Sequence, residues 1–285
     1  MEPSTILLLA ISVGCSTARA VFSKKLGAQG SDRRFYRIQA LLFAVAAAVI
    51  GIANIKDTVY PSAATILLAL AYGILTVSSQ WAYTIALAQA PVSVCAMVYS
   101  FGFIIPTVLG TVLWREAVTS LKIISILLCI GTILLTSVQP EKSKLNRLPV
   151  SLIIAMLSSG GLGLVQKIQQ KSAAHSETGI FLFFAFVLAM LFSLAFSILK
   201  REKAAQTTAP PVLHILIVGA SMALANTANT LLAGLLPSAV VFPVVNVGVI
   251  LASLAISVVV LKERLSKNQI AAFGLGVTAI LLFNL

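Results

Sequence analysis

Two fifty-residue stretches, 89–138 and 236–285, repeat one another, and that repeat limits the fold more than any other feature of the chain. The first opens on Gln89-Ala90-Pro91-Val92-Ser93, crosses an apolar stretch to Trp114-Arg115-Glu116, and continues through a second apolar stretch containing Ile133-Leu134-Leu135. The second opens on Leu236-Pro237-Ser238-Ala239-Val240, crosses to Lys262-Glu263-Arg264, and continues through Ile280-Leu281-Leu282. One offset of 147 residues lays Glu116 on Glu263, Ile123 on Ile270 and the two Ile-Leu-Leu triplets on each other. The chain is therefore read as two repeats of five apolar segments each: 1–138, then an inter-repeat loop at 139–148, then 149–285. With an odd number of segments per repeat, the second enters a bilayer in the opposite orientation, and a polar path can form between the two.

Composition excludes most other classes. Hydrophobic residues make up 59% of the 285 and charged residues only 10%, with a mean hydropathy of +1.03, far from the usual soluble mix. A net charge of +12 raises the question of nucleic acid, but the cations stand singly or in short clusters between apolar segments and form no basic face. The first segment lacks a basic start and a small-residue cleavage site, so it is expected to be a span. Cys15, Cys95 and Cys129 all lie inside apolar segments without CxxC spacing. They are expected to be small packing residues, neither a disulfide framework nor a zinc site.

A spanning helix needs about 20 apolar residues. Ten stretches qualify, at roughly 4–25, 35–55, 63–88, 92–114, 120–138, 149–170, 178–199, 212–234, 238–261 and 267–284. The expected fold is all-α and membrane-integral, ten transmembrane helices in two inverted five-helix repeats, because the runs do not alternate with period two. Gly102, Gly110, Gly160, Gly161, Gly163, Gly274 and Gly276 sit within spans, where small residues let helix backbones approach. Pro106 is expected to kink the fourth helix. Its counterpart at the repeat offset is Ser253, and Pro243 lies earlier in the ninth span, so the halves need not bend alike. Fourteen of the twenty Lys and Arg flank the loops after odd-numbered spans, five lie on the other side, and Arg19 falls within a span. Retention of cations in the cytoplasm then places both termini outside.

This pattern resembles the EamA-type branch of the drug/metabolite transporter superfamily. Ala90-Pro91-Val92-Ser93, Pro106, Glu116 and Gly131 carry the resemblance in the first half, and Ala239, Pro243, Glu263-Arg264-Leu265, Gly274 and Gly276 in the second. It implies a ten-span secondary transporter in the bacterial plasma membrane. Familiar members keep their termini cytoplasmic, against the charge count, and Ser253 stands where a second-half proline is expected.

Polar side chains at membrane depth are costly and normally face the bundle interior. Ser12, Ser16, Arg19 and Ser23 step along one helical face, and Thr76, Ser79, Gln80 and Tyr83 form a stripe with Trp81 beside it. Asn226, Asn229 and Thr230 form a patch in the eighth span, and the repeat offset relates Tyr99 to Asn246. Helix-to-helix hydrogen bonds, worth about 0.6 kcal/mol on average in membranes, account for the isolated Ser and Thr. Arg19, Gln80, Trp81, Tyr83, Tyr99, Asn226, Asn229, Asn246 and Lys167 are the candidate solute-binding residues. Trp81 and Tyr83 alternatively anchor a helix at the interface, and Arg19 can snorkel from its place near a helix end.

All eight acids fall at helix ends or in loops, and Glu116 and Glu263 read as local ion pairs or caps beside Arg115 and Arg264. A proton-coupled cation exporter, the alternative within the superfamily, wants a buried carboxylate. Arg19 and Lys167 favour an anionic or zwitterionic solute, such as an amino acid or organic acid, which pairs with guanidinium in a bidentate fork. An embedded enzyme is disfavoured because His175 and His214 stand apart and the acids do not cluster; a non-transporting scaffold has little use for Gln80 and three asparagines at depth. No GxxxxGK[ST] motif for ATP is present. The expected partners are the bilayer and a small-molecule solute, with no cofactor, metal or nucleic acid; the sequence leaves the oligomeric state open, a monomer included.

Overall fold

The computed structural model describes residues 2–23, 33–55, 60–89, 98–137, 150–200, 212–259 and 267–282. Every regular element among them is helical: α1 (Pro3–Ser23), α2 (Arg33–Ala53), α3 (Ala63–Gln89), α4 (Ile104–Leu113), α5 (Ser120–Ser137), α6 (Val150–Lys171), α7 (Thr178–Leu199), α8 (Val212–Leu235), α9 (Ser238–Val259) and α10 (Lys267–Leu282), with 3-10 turns at Phe101–Phe103 and Ala173–Glu177. Helices are what such apolar sequences must form in lipid, since no water is there to satisfy an open backbone. Seven helices among the described residues are long and apolar enough to cross a membrane, and the apolar helices Val98–Leu113, Ser120–Leu135 and Lys267–Leu282 are shorter. Sixteen residues rise only about 24 Å, below the roughly 30 Å of a hydrocarbon core. Ala90 to Ser93, Cys95, the 139–148 loop and Glu263-Arg264-Leu265 lie outside the described residues.

Helix ends follow from local chemistry. The Ser62 hydroxyl accepts the Thr65 amide at 3.2 Å and caps α3, while its own N–H and O–H both donate to Glu177 at 2.9 and 3.0 Å. Pro106 has no N–H for the Gly102 carbonyl, and the chain passes through the 3-10 turn at Phe101–Phe103 before α4 begins. That carbonyl abuts α6 instead, where a Cβ added to Gly160 would stand 2.5 Å from it. At the other end of α4 the Trp114 amide bonds Gly110 and the Glu116 amide reaches back to Thr111. Between them Arg115 takes a left-handed φ of 49°, the turn that commonly closes a helix with glycine.

The two halves of the chain interleave. Helices α2, α3 and α7 share one apolar core, built on Phe43, Tyr72, Phe181 and Phe186, to which Met222 and Ala223 of α8 contribute. A second core, around Phe103, Cys129, Ile133 and Val247, joins α4 and α5 to α9 and α10. Each core therefore draws on both halves. Helix α1 packs on α8 and α9, and α6 packs on α3, α4 and α8, so these two helices run between the cores. Close approach depends on small residues as expected of membrane packing, with Gly163 against Pro106 and Phe242. Gly274 departs from that expectation: a Cβ there would meet nothing within 4 Å.

Candidate functional site

A string of polar groups joins α1, α3, α6 and α8, starting from Tyr72 in the first core. Asn226 of α8 bonds its own helix through Met222 at 2.7 Å, which turns its side-chain carbonyl toward α3. There it accepts the Tyr72 hydroxyl at 2.5 Å. Gln166 of α6 donates to the same hydroxyl at 3.1 Å. Asn229, three residues beyond Asn226 and on the same face, accepts the Ser12 hydroxyl of α1. Side chains from α1, α3, α6 and α8 thus meet around Tyr72, which is 2% exposed.

Toward the C-terminal end of α1 the string becomes partly open. Arg19 is half-buried and lies within electrostatic reach of Tyr72, as does Tyr99. The Tyr99 hydroxyl is 3.0 Å from Ser79 Oγ, and its ring lies 4.8 Å from that of Tyr83, tilted by 56°. Arg19 has no acidic partner among the described residues. Two aromatic faces and an available guanidinium are suited to a small solute bearing a carboxylate.

In the other direction, one residue past Gln166, Lys167 is 1% exposed and pairs with Glu116 at 2.7 Å, itself 11% exposed. The lysine also donates to the Leu236 carbonyl at 2.9 Å, while Glu116 Oε2 accepts the Ser238 amide at 2.5 Å. Leu236-Pro237-Ser238 joins α8 to α9, so the cation stands at the negative end of one helix dipole and the carboxylate at the positive end of the next. The ion pair therefore ties α4, α6, α8 and α9 together. It is fitted tightly: a Cβ on Gly110 would collide with Ser238, whose hydroxyl is buried without a hydrogen-bond partner. The left-handed Arg115 is what aims Glu116 into this joint.

Among the residues singled out from sequence, Tyr83 and Tyr99 meet, Arg19 and Tyr99 both lie within electrostatic reach of Tyr72, and Asn226 and Asn229 join the string. Lys167 is next to it in sequence but its ammonium turns to Glu116. That pairing replaces the local Glu116–Arg115 pair expected from sequence, because the turn at Arg115 leaves the arginine exposed and carries the carboxylate inward. Trp81 instead bonds Tyr36 of α2, a tyrosine stacked on Phe196 of α7. Asn246 donates to Phe242 of its own helix at 2.9 Å. The Gln80 side chain is half-buried and makes no hydrogen bond among the described residues. Tyr72 and Gln166 were not among the candidates from sequence. Tyr72 stands one helical turn before Thr76, so extending the Thr76–Ser79–Tyr83 stripe backwards would have reached it.

Residues 149–285 match the EamA-like transporter family. That half of the chain is similar to the EamA-like proteins of the drug/metabolite transporter superfamily. EamA-like proteins form a family of membrane transporters and not of enzymes, and the seven long apolar helices suit a multi-pass membrane protein. A solved crystal structure shares the fold at a TM-score of 0.78, covering 99% of this chain and 97% of that one at 14% identity. A comparison with curated proteins gave no match.

Proposed function

We propose that this EamA-like protein is a secondary transporter of a small anionic or zwitterionic solute, of the amino-acid or organic-acid kind, working by alternating access between ten spans in two inverted repeats. The pairing of helices supports the repeat. If each helix of the first half is exchanged for its counterpart five places on, α2–α7, α4–α9 and α5–α10 map onto themselves; α1–α8 maps onto α3–α6, α2–α8 onto α3–α7, and α1–α9 onto α4–α6, and all of these pairs are in contact. Such exchangeable packing is what two interconverting states of similar energy require.

The observation that carries the solute class is electrostatic. Of the two cations at the ends of the string, Lys167 is neutralised by Glu116 and Arg19 is not neutralised by any described acid. A lipophilic cation would meet an uncompensated guanidinium and no available carboxylate, which disfavours the cation-exporter reading. Uptake of a panel of radiolabelled amino acids and organic acids into proteoliposomes tests this. Export of ethidium-like cations, with no carboxylate transported, would falsify it.

The charge distribution further supports outside termini, and the Arg19 end then faces the cytoplasm. A thiol introduced at Ser31 should escape a membrane-impermeant reagent in intact cells; reaction there reverses the orientation and leaves the rest standing.

A further inference from the structure

We propose that the Lys167 ammonium is a second carboxylate station on the solute path, occupied in this conformation by Glu116 in place of the solute. This rests on the reading of the protein as a transporter of carboxylate-bearing solutes. Arg19 is the seventeenth residue of α1 and Lys167 the eighteenth of α6, the first helices of the two repeats. Each helix packs against the fourth helix of the opposite repeat, α9 for Arg19 and α4 for Lys167. The repeat offset of 147 lays Arg19 on Gln166, so Lys167 stands one residue past the counterpart of Arg19. Tyr72, within electrostatic reach of Arg19, is hydrogen-bonded to Gln166, the sequence neighbour of Lys167.

The Lys167 post is equipped as a carboxylate receptor. It offers the buried ammonium and the Ser238 amide at the start of α9, both of which Glu116 already engages. A side chain of this same protein already fills it, carried on a turn whose pivot is a left-handed arginine. Exchange of Glu116 for an incoming carboxylate conserves the charge of the joint and frees α4 from α9. The solute then carries its own release signal.

The test is rescue of purified full-length Glu116→Ala. Its melting temperature should fall by several degrees, and about 100 mM acetate should restore at least half of the loss, whereas chloride at equal ionic strength should not. Glu116→Ala/Lys167→Met should be insensitive to acetate. Equal responses to acetate and chloride would overturn the proposal. Should Glu116→Ala not fold, Glu116→Gln serves, in a background with Cys15, Cys95 and Cys129 replaced and Thr111→Cys added, since Thr111 accepts the Glu116 amide. There an anionic methanethiosulfonate should gain about fivefold over a cationic one relative to the Glu116 parent, and an unchanged ratio overturns the idea. Absence of carboxylate uptake in proteoliposomes with intact acetate rescue would sink the transporter reading alone; absence of rescue with intact uptake would sink this one alone.

Discussion

The two ends of the polar string each carry a cation, and the two cations are treated in opposite ways. At one end Lys167 is buried, paired with Glu116 and held between two helix dipoles; at the other Arg19 is half-buried, within electrostatic reach of Tyr72, with no described acid paired to it. Coulomb attraction across a low-dielectric joint makes the first end costly to disturb from either side. The second end keeps a charge partly hydrated and available. One sequence pattern, a cation near the end of the first helix of a repeat, thus yields a post filled by the protein's own carboxylate in one half and a post without one in the other. What separates them is whether a carboxylate from a neighbouring helix end reaches the post.

The sharpest way to break that contrast is to strip the tied end. Lys167→Met leaves Glu116 charged in a joint with only the Ser238 amide to answer it, and removal of one partner from a buried pair costs about 3–5 kcal/mol. Thermal unfolding in detergent should show this as the largest loss from any single substitution along the string. Glu116→Gln/Lys167→Met should recover most of it. The charge reversal Glu116→Lys/Lys167→Glu should not, because each new charge would face the wrong end of a helix dipole. Full recovery by the reversal would mean the dipoles contribute little and the pair is a simple bridge.

Much of the fold and only part of the site could be read from the sequence, for different physical reasons. Continuous apolar runs at helical length locate the helices within a few residues, because lipid admits no other backbone solution. The fourth is the exception: the 3-10 turn at Phe101–Phe103 interrupts the run, and α4 begins only at Ile104. Polar residues at helical spacing located Asn226 and Asn229, since a polar side chain in a span must turn inward. Glu116 escaped for the opposite reason. A carboxylate just past a helix end looks solvated in sequence, and only the left-handed turn at Arg115 sends it inward to a lysine fifty-one residues away. Trp81 misled because its ring passes to Tyr36 of α2, away from the stripe that flanks it.

Two smaller changes sharpen the comparison. Gly110→Ala would drive a methyl group into Ser238 and part α4 from α9, an overpacking cost of about 1–3 kcal/mol. Gly110→Ala/Ser238→Gly should relieve most of it. Arg19→Gln should behave quite differently. Its stability should stay within about 0.5 kcal/mol of the parent, as for changes that break no packed contact, while carboxylate uptake falls at least tenfold, about 1.4 kcal/mol. A melting temperature lowered as far as by Lys167→Met would show that Arg19 is a structural tie after all and erase the contrast between the ends.

The smallest expected effect falls on the turn that makes the tied end possible. Arg115 holds a φ of 49°, a conformation that costs an L-residue roughly 1–2 kcal/mol and glycine almost nothing. Arg115→Gly relieves that strain but gives the unfolded chain more freedom, which removes roughly 0.4–1 kcal/mol of the gain. The net change should be stabilising by a few tenths to about 1 kcal/mol. Arg115→Val should destabilise, because a β-branched side chain fits this region worst. Decisive is the cycle with Lys167→Met: if the turn alone aims Glu116, the lysine substitution must cost the same in the Arg115→Gly background as in the parent. A smaller cost there would mean the arginine side chain, exposed as it is, helps to hold the carboxylate in place.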